Sequence, residues 1–165
     1  MKQSIAIFLK SSSEIERVRK KYLPNYNKFK LHITLVYAFE VKDQNKLAVH
    51  IKKSIKELKP FPLSLHGLKK SAKEYYLYLL VDKGKMNILK LYKTLNSGIL
   101  KSFQNKKIPK YVPHITLGVF KTKNAIDSAF KELSKENLYF ETKVSSIQLL
   151  TLDKTALKSM ANFRL

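Results

Sequence analysis

Apolar and polar positions change period along the chain, and the changes divide it into elements. Ile5–Leu9 is a short apolar run that predicts a strand. Ser13 opens S-E-I-E, a capping-box pattern with Glu16 at its end, and predicts a helix to Tyr22. Leu23–Lys30 holds Pro24, two Asn and two aromatics and reads as a loop. Leu31–Phe39 predicts a second strand. Asp43–Leu58 carries Leu47, Ile51, Ile55 and Leu58 on one helical face, and Pro60 stops it. Phe61, Leu63 and Leu65 alternate with Pro62, Ser64 and His66 as a third strand. Tyr75–Val81 is a fourth, and Asp82–Gly84 is a turn.

The order then begins again. Met86–Phe103 is expected as a helix with Leu89, Tyr92, Leu95, Ile99 and Phe103 along one face. Gln104–Pro113 is a Lys-rich loop, His114–Phe120 a strand and Asn124–Leu133 a helix. Phe140–Leu152 reads as one long strand and Ala161–Leu165 as a short last one. The tetrapeptide HITL stands at His32–Leu35 and again at His114–Leu117, an offset of 82; the Phe-led strands start at Phe61 and Phe140, an offset of 79. Matched offsets over several elements indicate a duplication, and two mixed copies exclude a solenoid. The expected fold is α+β: a bilobal, pseudo-two-fold duplicated domain of two antiparallel sheets backed by helices around a central cleft. Its 165 residues suit one domain, with pseudo-repeats at 1–83 and 84–165.

Charge adds a partner class without fixing it. Thirty-three basic residues stand against 12 acidic ones, a net charge of +21, which attracts polyanions. Only Arg17, Arg19 and Arg164 are arginines, so bidentate phosphate readers are scarce, and a lysine excess also arises from AT-rich coding. There is no cysteine, hence no disulfide framework or thiolate metal site. The run SIAIFL between Lys2 and Lys10 is too short for a signal or a membrane span. A cytoplasmic monomer without membrane association is expected.

The repeated motif carries the chemistry. On a strand, residues two apart share a face, so His32 and Thr34 point one way and Ile33, Leu35, Tyr37 and Phe39 the other. His114, Thr116 and Gly118 sort against Ile115, Leu117 and Val119 in the same way. If the lobes face each other, two imidazoles and two hydroxyls converge. Near neutral pH one imidazole can take a proton from water while the other gives one to a leaving ribose oxygen. The Thr34 and Thr116 hydroxyls can hold the non-bridging phosphate oxygens. No metal or cofactor is required, and two histidines without cysteine or a third ligand do not complete a zinc site.

With both H-x-T-x motifs intact and essentially the whole chain covered, the sequence resembles the 2H phosphoesterase superfamily, the LigT-like or 2′–5′ RNA ligase-like proteins. IAIF near the start, YVPHITLG and the final FRL resemble its bacterial YjcG-like branch most closely. The resemblance implies metal-independent hydrolysis of 2′,3′-cyclic phosphate or 2′–5′ phosphodiester bonds in RNA ends or small nucleotides. It places catalysis on His32 and His114 and phosphate binding on Thr34 and Thr116. It also implies His32 as acid and His114 as base, roles that near two-fold symmetry lets exchange. A non-catalytic RNA-binding module and an enzyme for a non-RNA substrate, such as an ADP-ribose cyclic phosphate, are the alternatives.

Around the motifs, Phe120 and Tyr111 are candidates for stacking a base. Lys30, Lys110 and Lys121 are candidate rim cations. Tyr37 is expected in the core, Tyr76 and Tyr78 on a shared strand face, and His50 on the exposed side of its helix. His66 can face the cleft, and Asp153 fits a turn.

Overall fold

The computed structural model describes residues 2–10, 12–24, 26–71, 74–104, 110–152 and 157–165. The described chain runs β1 (Gln3–Phe8), α1 (Ser13–Tyr22), β2 (His32–Phe39), α2 (Gln44–Ile55), β3 (Phe61–Lys70), β4 (Tyr76–Val81) and α3 (Lys85–Leu95). It continues through β5 (His114–Val119), α4 (Lys123–Leu133), β6 (Tyr139–Val144), β7 (Ser146–Leu152) and β8 (Leu157–Arg164). Asp153 lies outside the described residues. Side-chain oxygens of Ser12, Asp43 and Thr122 cap α1, α2 and α4 by accepting from the backbone N–H three residues on. The cap of α1 is thus Ser12, one residue before the expected start. The helix expected over Met86–Phe103 stops at Leu95. Asn96 closes it by donating from Nδ2 to the Tyr92 carbonyl at 2.8 Å, and a 3₁₀ turn, Gly98–Phe103, follows.

Two four-stranded antiparallel sheets form, in the orders β2-β1-β7-β8 and β5-β4-β3-β6. The lobes are therefore not the two halves of the sequence. The run expected as one strand over Phe140–Leu152 breaks at Ser145: β6 pairs with β3, while β7 crosses to pair with β1 in the other sheet. In the opposite sense β3 crosses to stand beside β4. Each HITL strand is the edge of its sheet, flanked by β1 or β4. By this equivalence the repeat in the fold begins at β4, before the Asp82–Gly84 turn. The first helices cross as well: α1 packs on β5 and α3 packs on β2. Lys21 Nζ and Tyr22 Oη reach Glu132 at 2.6 and 2.7 Å, and Arg17 pairs with Glu136, so α1 is tied to the end of α4. A single buried core of Ile, Leu and Val side chains runs through both lobes. Exchange of strands and helices makes neither copy a separate folding unit.

Candidate active site

The two motif strands lie next to each other, edge beside edge. Over their first six residues they share one burial sequence: His and Thr half-buried, Ile, Leu and the residue after Leu buried, the sixth half-buried. The shared cause is a bulge. Ala6 pairs with Thr34 and Ile5 with Val36, which leaves Leu35 and Val36 together opposite Ile5. Tyr78 pairs with Thr116 and Leu77 with Gly118, which leaves Leu117 and Gly118 together opposite Leu77. Beyond each bulge the alternation is inverted. Val36 and Gly118 turn inward, and Tyr37 and Val119 move to the face of the motif histidines. The strand reading placed Tyr37, Gly118 and Val119 the other way, because period two holds only while pairing is in register. Asn96 Nδ2 donates to the carbonyl of Leu35, the extra residue of the first bulge, at 2.9 Å.

Both histidines are held alike. His32 Nδ1 lies 2.7 Å from the Lys30 carbonyl, and His114 Nδ1 lies 2.6 Å from the Val112 carbonyl. A carbonyl only accepts, so each Nδ1 carries the hydrogen and each Nε2 of the neutral ring is left with its lone pair. Burial pushes the His32 imidazole below its ordinary pKa; the Lys30 carbonyl opposes this, and the Arg19 charge adds to it. Burial likewise pushes His114 down, opposed by the Val112 carbonyl and reinforced by His32 and Lys69. His32 and His114 are thus within electrostatic reach of each other. The surroundings differ between copies. Tyr78, opposite Thr116, lays its ring on His114 with centroids 3.8 Å apart, where the first copy has Ala6. Phe8 meets His32 edge-on at 6.4 Å.

The hydroxyls of Thr34 and Thr116 have no hydrogen-bond partner among the described residues. Thr116 and His32, one from each motif, line a cavity of about 210 Å³ between α1 and β5, with Arg19 in its wall. Arg19 is 3% exposed. Its Nη1 donates to Glu16 at 2.6 Å and its Nη2 to the Phe29 carbonyl, while its buried Nε–H has no partner among the described residues. A motif-by-motif reading overlooks this arginine. Its signal is the spacing Ile15, Val18, Arg19, Tyr22, which puts the only cation of that stripe on the apolar side of α1.

The model of the 2′-5′ RNA ligase superfamily matches residues 8–156. The chain belongs to that superfamily. It is 28% identical over 139 residues to "Putative phosphoesterase GK0864" of Geobacillus kaustophilus, covering 80% of this chain and 76% of that protein. It is also 28% identical over 162 residues to "Putative phosphoesterase GWCH70_0799" of Geobacillus sp., covering 91% and 87%. In three dimensions it resembles E. coli LigT complexed with 3′-AMP, with a TM-score of 0.68 at 16% identity over 99% of this chain and 97% of that one. Usb1 of Kluyveromyces marxianus superposes with a TM-score of 0.59 at 12% identity over 99% and 98%. Superfamily membership supports phosphodiesterase chemistry in general, and the solved structures establish the bilobal α+β fold.

Within this superfamily member some of the residues outside the motifs keep their expected places and others do not. Tyr111 does not offer a face to a base: it is buried, its ring stacked on Tyr92 at 3.9 Å and 2°, its hydroxyl donated to the Thr34 carbonyl. Phe120 lies over Gly118 and against Tyr22 at 5.6 Å, on the α1 side. Tyr37 belongs with Tyr78, Tyr92 and Tyr111 between the lobes. Burial, then Tyr92, raises its phenol pKa, and burial, then Tyr37, pushes Tyr78 up to about 12. Lys30 stays close to the first motif, its Nζ 6.0 Å from the Phe8 ring centroid. Lys110 and Lys121 are exposed on either side of β5. His50 is a link between α2 and α3, donating from Nε2 to the Leu95 carbonyl at 3.0 Å. His66 pairs with Asn137 at 3.1 Å and meets Tyr139 edge-on, away from the motifs. Lys69 was not a sequence candidate. Its site follows from Gly67, whose φ of +86 makes the bulge in β3 that brings Lys69 opposite Tyr78, next to His114.

Proposed function

We propose that the protein is a metal-independent phosphodiesterase that hydrolyses 2′,3′-cyclic phosphate or 2′–5′ bonds of RNA ends or small nucleotides with His32 and His114 as an acid–base pair. The observation that carries this reading is the matched pair of Nδ1–H···O=C anchors, which leaves a free Nε2 on each motif strand. His114 Nε2 takes a proton from water as the water oxygen bonds to phosphorus. The bond from phosphorus to the leaving ribose oxygen breaks, and protonated His32 Nε2 gives that oxygen its proton. Thr34 and Thr116 donate to the non-bridging oxygens. The phosphate's own negative charge favours the imidazolium that burial disfavours, so substrate helps to load the acid. The net charge of +21 draws anionic substrates to the surface.

The test is incubation in EDTA with a panel of nucleoside 2′,3′-cyclic phosphates, 2′–5′-linked dinucleotides and an ADP-ribose cyclic phosphate. Appearance of a monophosphate product identifies the substrate class. RNA binding with no turnover on the whole panel would make the chain a binding module instead.

A further inference from the structure

The two motif copies differ in the ring that each histidine meets. In the first copy Ala6 stands opposite Thr34 and Phe8 opposite His32. In the second, Tyr78 stands opposite Thr116 and Leu80 opposite His114. The aromatic residue has moved from the place directly across from the histidine to the diagonal one, from which a long side chain reaches over its neighbour. The contact changes with it. Phe8 meets His32 edge-on with centroids 6.4 Å apart, and the Lys30 ammonium lies over the Phe8 ring at 6.0 Å. Tyr78 lies against His114 with centroids 3.8 Å apart and ring planes inclined by 34°. Tyr76, two residues earlier on β4, meets Tyr78 edge-on at 6.4 Å and backs it.

We propose that Tyr78 is a positioning residue for the second motif: its ring fixes the plane of the His114 imidazole, and its π-face carries the positive charge that arises there when His114 takes up a proton. The proposal rests on the phosphodiesterase reading of the site. The groups around His114 divide by sign. Lys69 from β3 and His32 from β2 oppose an imidazolium, as does burial. The Val112 carbonyl favours one through Nδ1, and the electron-rich face of Tyr78 favours one from the side. Burial first, then Tyr37, pushes the Tyr78 phenol up to about 12, so this face stays neutral wherever histidine titrates. As the base, His114 becomes an imidazolium while the water proton arrives, and a face already in contact stabilises that charge as it forms. The twin position beside the first motif holds Ala6, a methyl group without a π-face. Tyr78 thus makes two histidines with matching Nδ1 anchors chemically unequal.

Tyr78→Phe and Tyr78→Leu separate the ring from its bulk: Phe keeps the face, while Leu keeps an apolar cover and removes it. NMR titration of the imidazole Cε1–H signals, assigned with His32→Ala and His114→Ala, reads the charge without turnover. In Tyr78→Leu, His114 should titrate about one pH unit lower than in wild type or Tyr78→Phe, with His32 moving much less. At pH 7.5, kcat/KM should fall about 10-fold in Tyr78→Leu, in kcat and not in KM, and Tyr78→Phe should recover most of the loss. In the wild-type protein the Tyr78 ring protons should follow the His114 titration and not that of His32, a readout that needs no variant. Tyr78 ring protons blind to His114, an unmoved His114 titration in folded Tyr78→Leu protein, or equal kcat/KM in the Phe and Leu variants would overturn the proposal. Turnover with an unmoved titration removes the role of Tyr78 and keeps the phosphodiesterase; a shifted titration without turnover of any substrate does the reverse.

Discussion

Tyr111, three residues before the second motif, donates its hydroxyl to the backbone carbonyl of Thr34 in the first motif at 2.7 Å. The bond ties the approach to one histidine to the strand that carries the other, across the lobe boundary. Tyr111→Phe keeps the ring stacked on Tyr92 and leaves the Thr34 carbonyl unpaired. The expected cost is about 1–3 kcal/mol in urea unfolding. Because the tie sets the two motifs relative to each other, kcat/KM should also fall, by about 10-fold. A variant with wild-type stability and wild-type turnover would show that the bond positions nothing.

His32→Ala and His114→Ala should each lower kcat/KM by about 10²–10⁴-fold with little change in thermal melting. The double variant should be scarcely worse than the worse single one, because groups acting in one proton relay are not additive. A single variant with near wild-type turnover on every active substrate would remove that residue from the chemistry.

Much of this pair was legible in the sequence, and the reason is local. Imidazole and hydroxyl two residues apart in an apolar run fix a strand with one polar face, and the second HITL makes it a pair. Tyr37, Val119 and Gly118 were assigned to the wrong faces because the bulges at Leu35 and Leu117 arise from pairing with β1 and β4, which the motif strand does not encode by itself. The crossing of β7 into the first sheet was hidden for the same kind of reason: Phe140–Leu152 is continuously strand-prone, and only partner choice divides it at Ser145. Tyr111 read as a base platform because its ring is near the motif in sequence, while Tyr92, which covers it, comes from α3.

The pH dependence follows from two imidazoles that are both held below the ordinary 6.5 by burial. The active free enzyme has one proton on the pair. That form is most abundant between the two macroscopic pKa values, which lie below 6.5 in the free protein. The optimum of kcat/KM should therefore sit below that value, with kcat/KM falling as pH rises above it because the acid loses its proton. Bound phosphate favours the imidazolium, so the alkaline limb of kcat should lie at higher pH than that of kcat/KM. Lys69→Gln removes a charge that depresses His114 and should move the limb that reports it upward. Profiles for kcat and kcat/KM with coincident limbs above pH 7 would contradict this.

Thr34 and Thr116 are assigned to hold phosphate oxygens and not to move protons. Thr→Val keeps the β-branched shape and deletes the donor, so packing should be little altered. The expected loss is about 10²–10³-fold in kcat/KM at each position, with both pH limbs retained. Thr→Ser should be much milder. If Val and Ser variants turned over substrate equally well, these positions would serve the strand and the phosphate would be held by other donors.

Gly118 marks where the two copies cannot be made alike. Its counterpart after the first bulge is Val36, which is buried. A Cβ at residue 118 would stand 2.8 Å from the Cβ of Tyr22 and 2.9 Å from the Phe120 ring, so α1 can approach β5 only because the side chain is absent. Tyr22 Cβ is fixed to the helix backbone and cannot swing aside as a long side-chain tip could. Gly118→Ala must therefore move α1 itself, or the end of β5, against the links from Lys21 and Tyr22 to Glu132. The expected destabilisation is about 1–3 kcal/mol, larger for Gly118→Val, read as a fall in the urea midpoint with an unchanged m-value. Displacement of α1 also moves the Arg19 wall of the cavity that His32 and Thr116 line, so kcat/KM should fall in Gly118→Ala protein that is still folded. A Gly118→Ala variant as stable as wild type, with unchanged kcat/KM, would mean that α1 has room to shift and that its close seat on β5 does not shape the site.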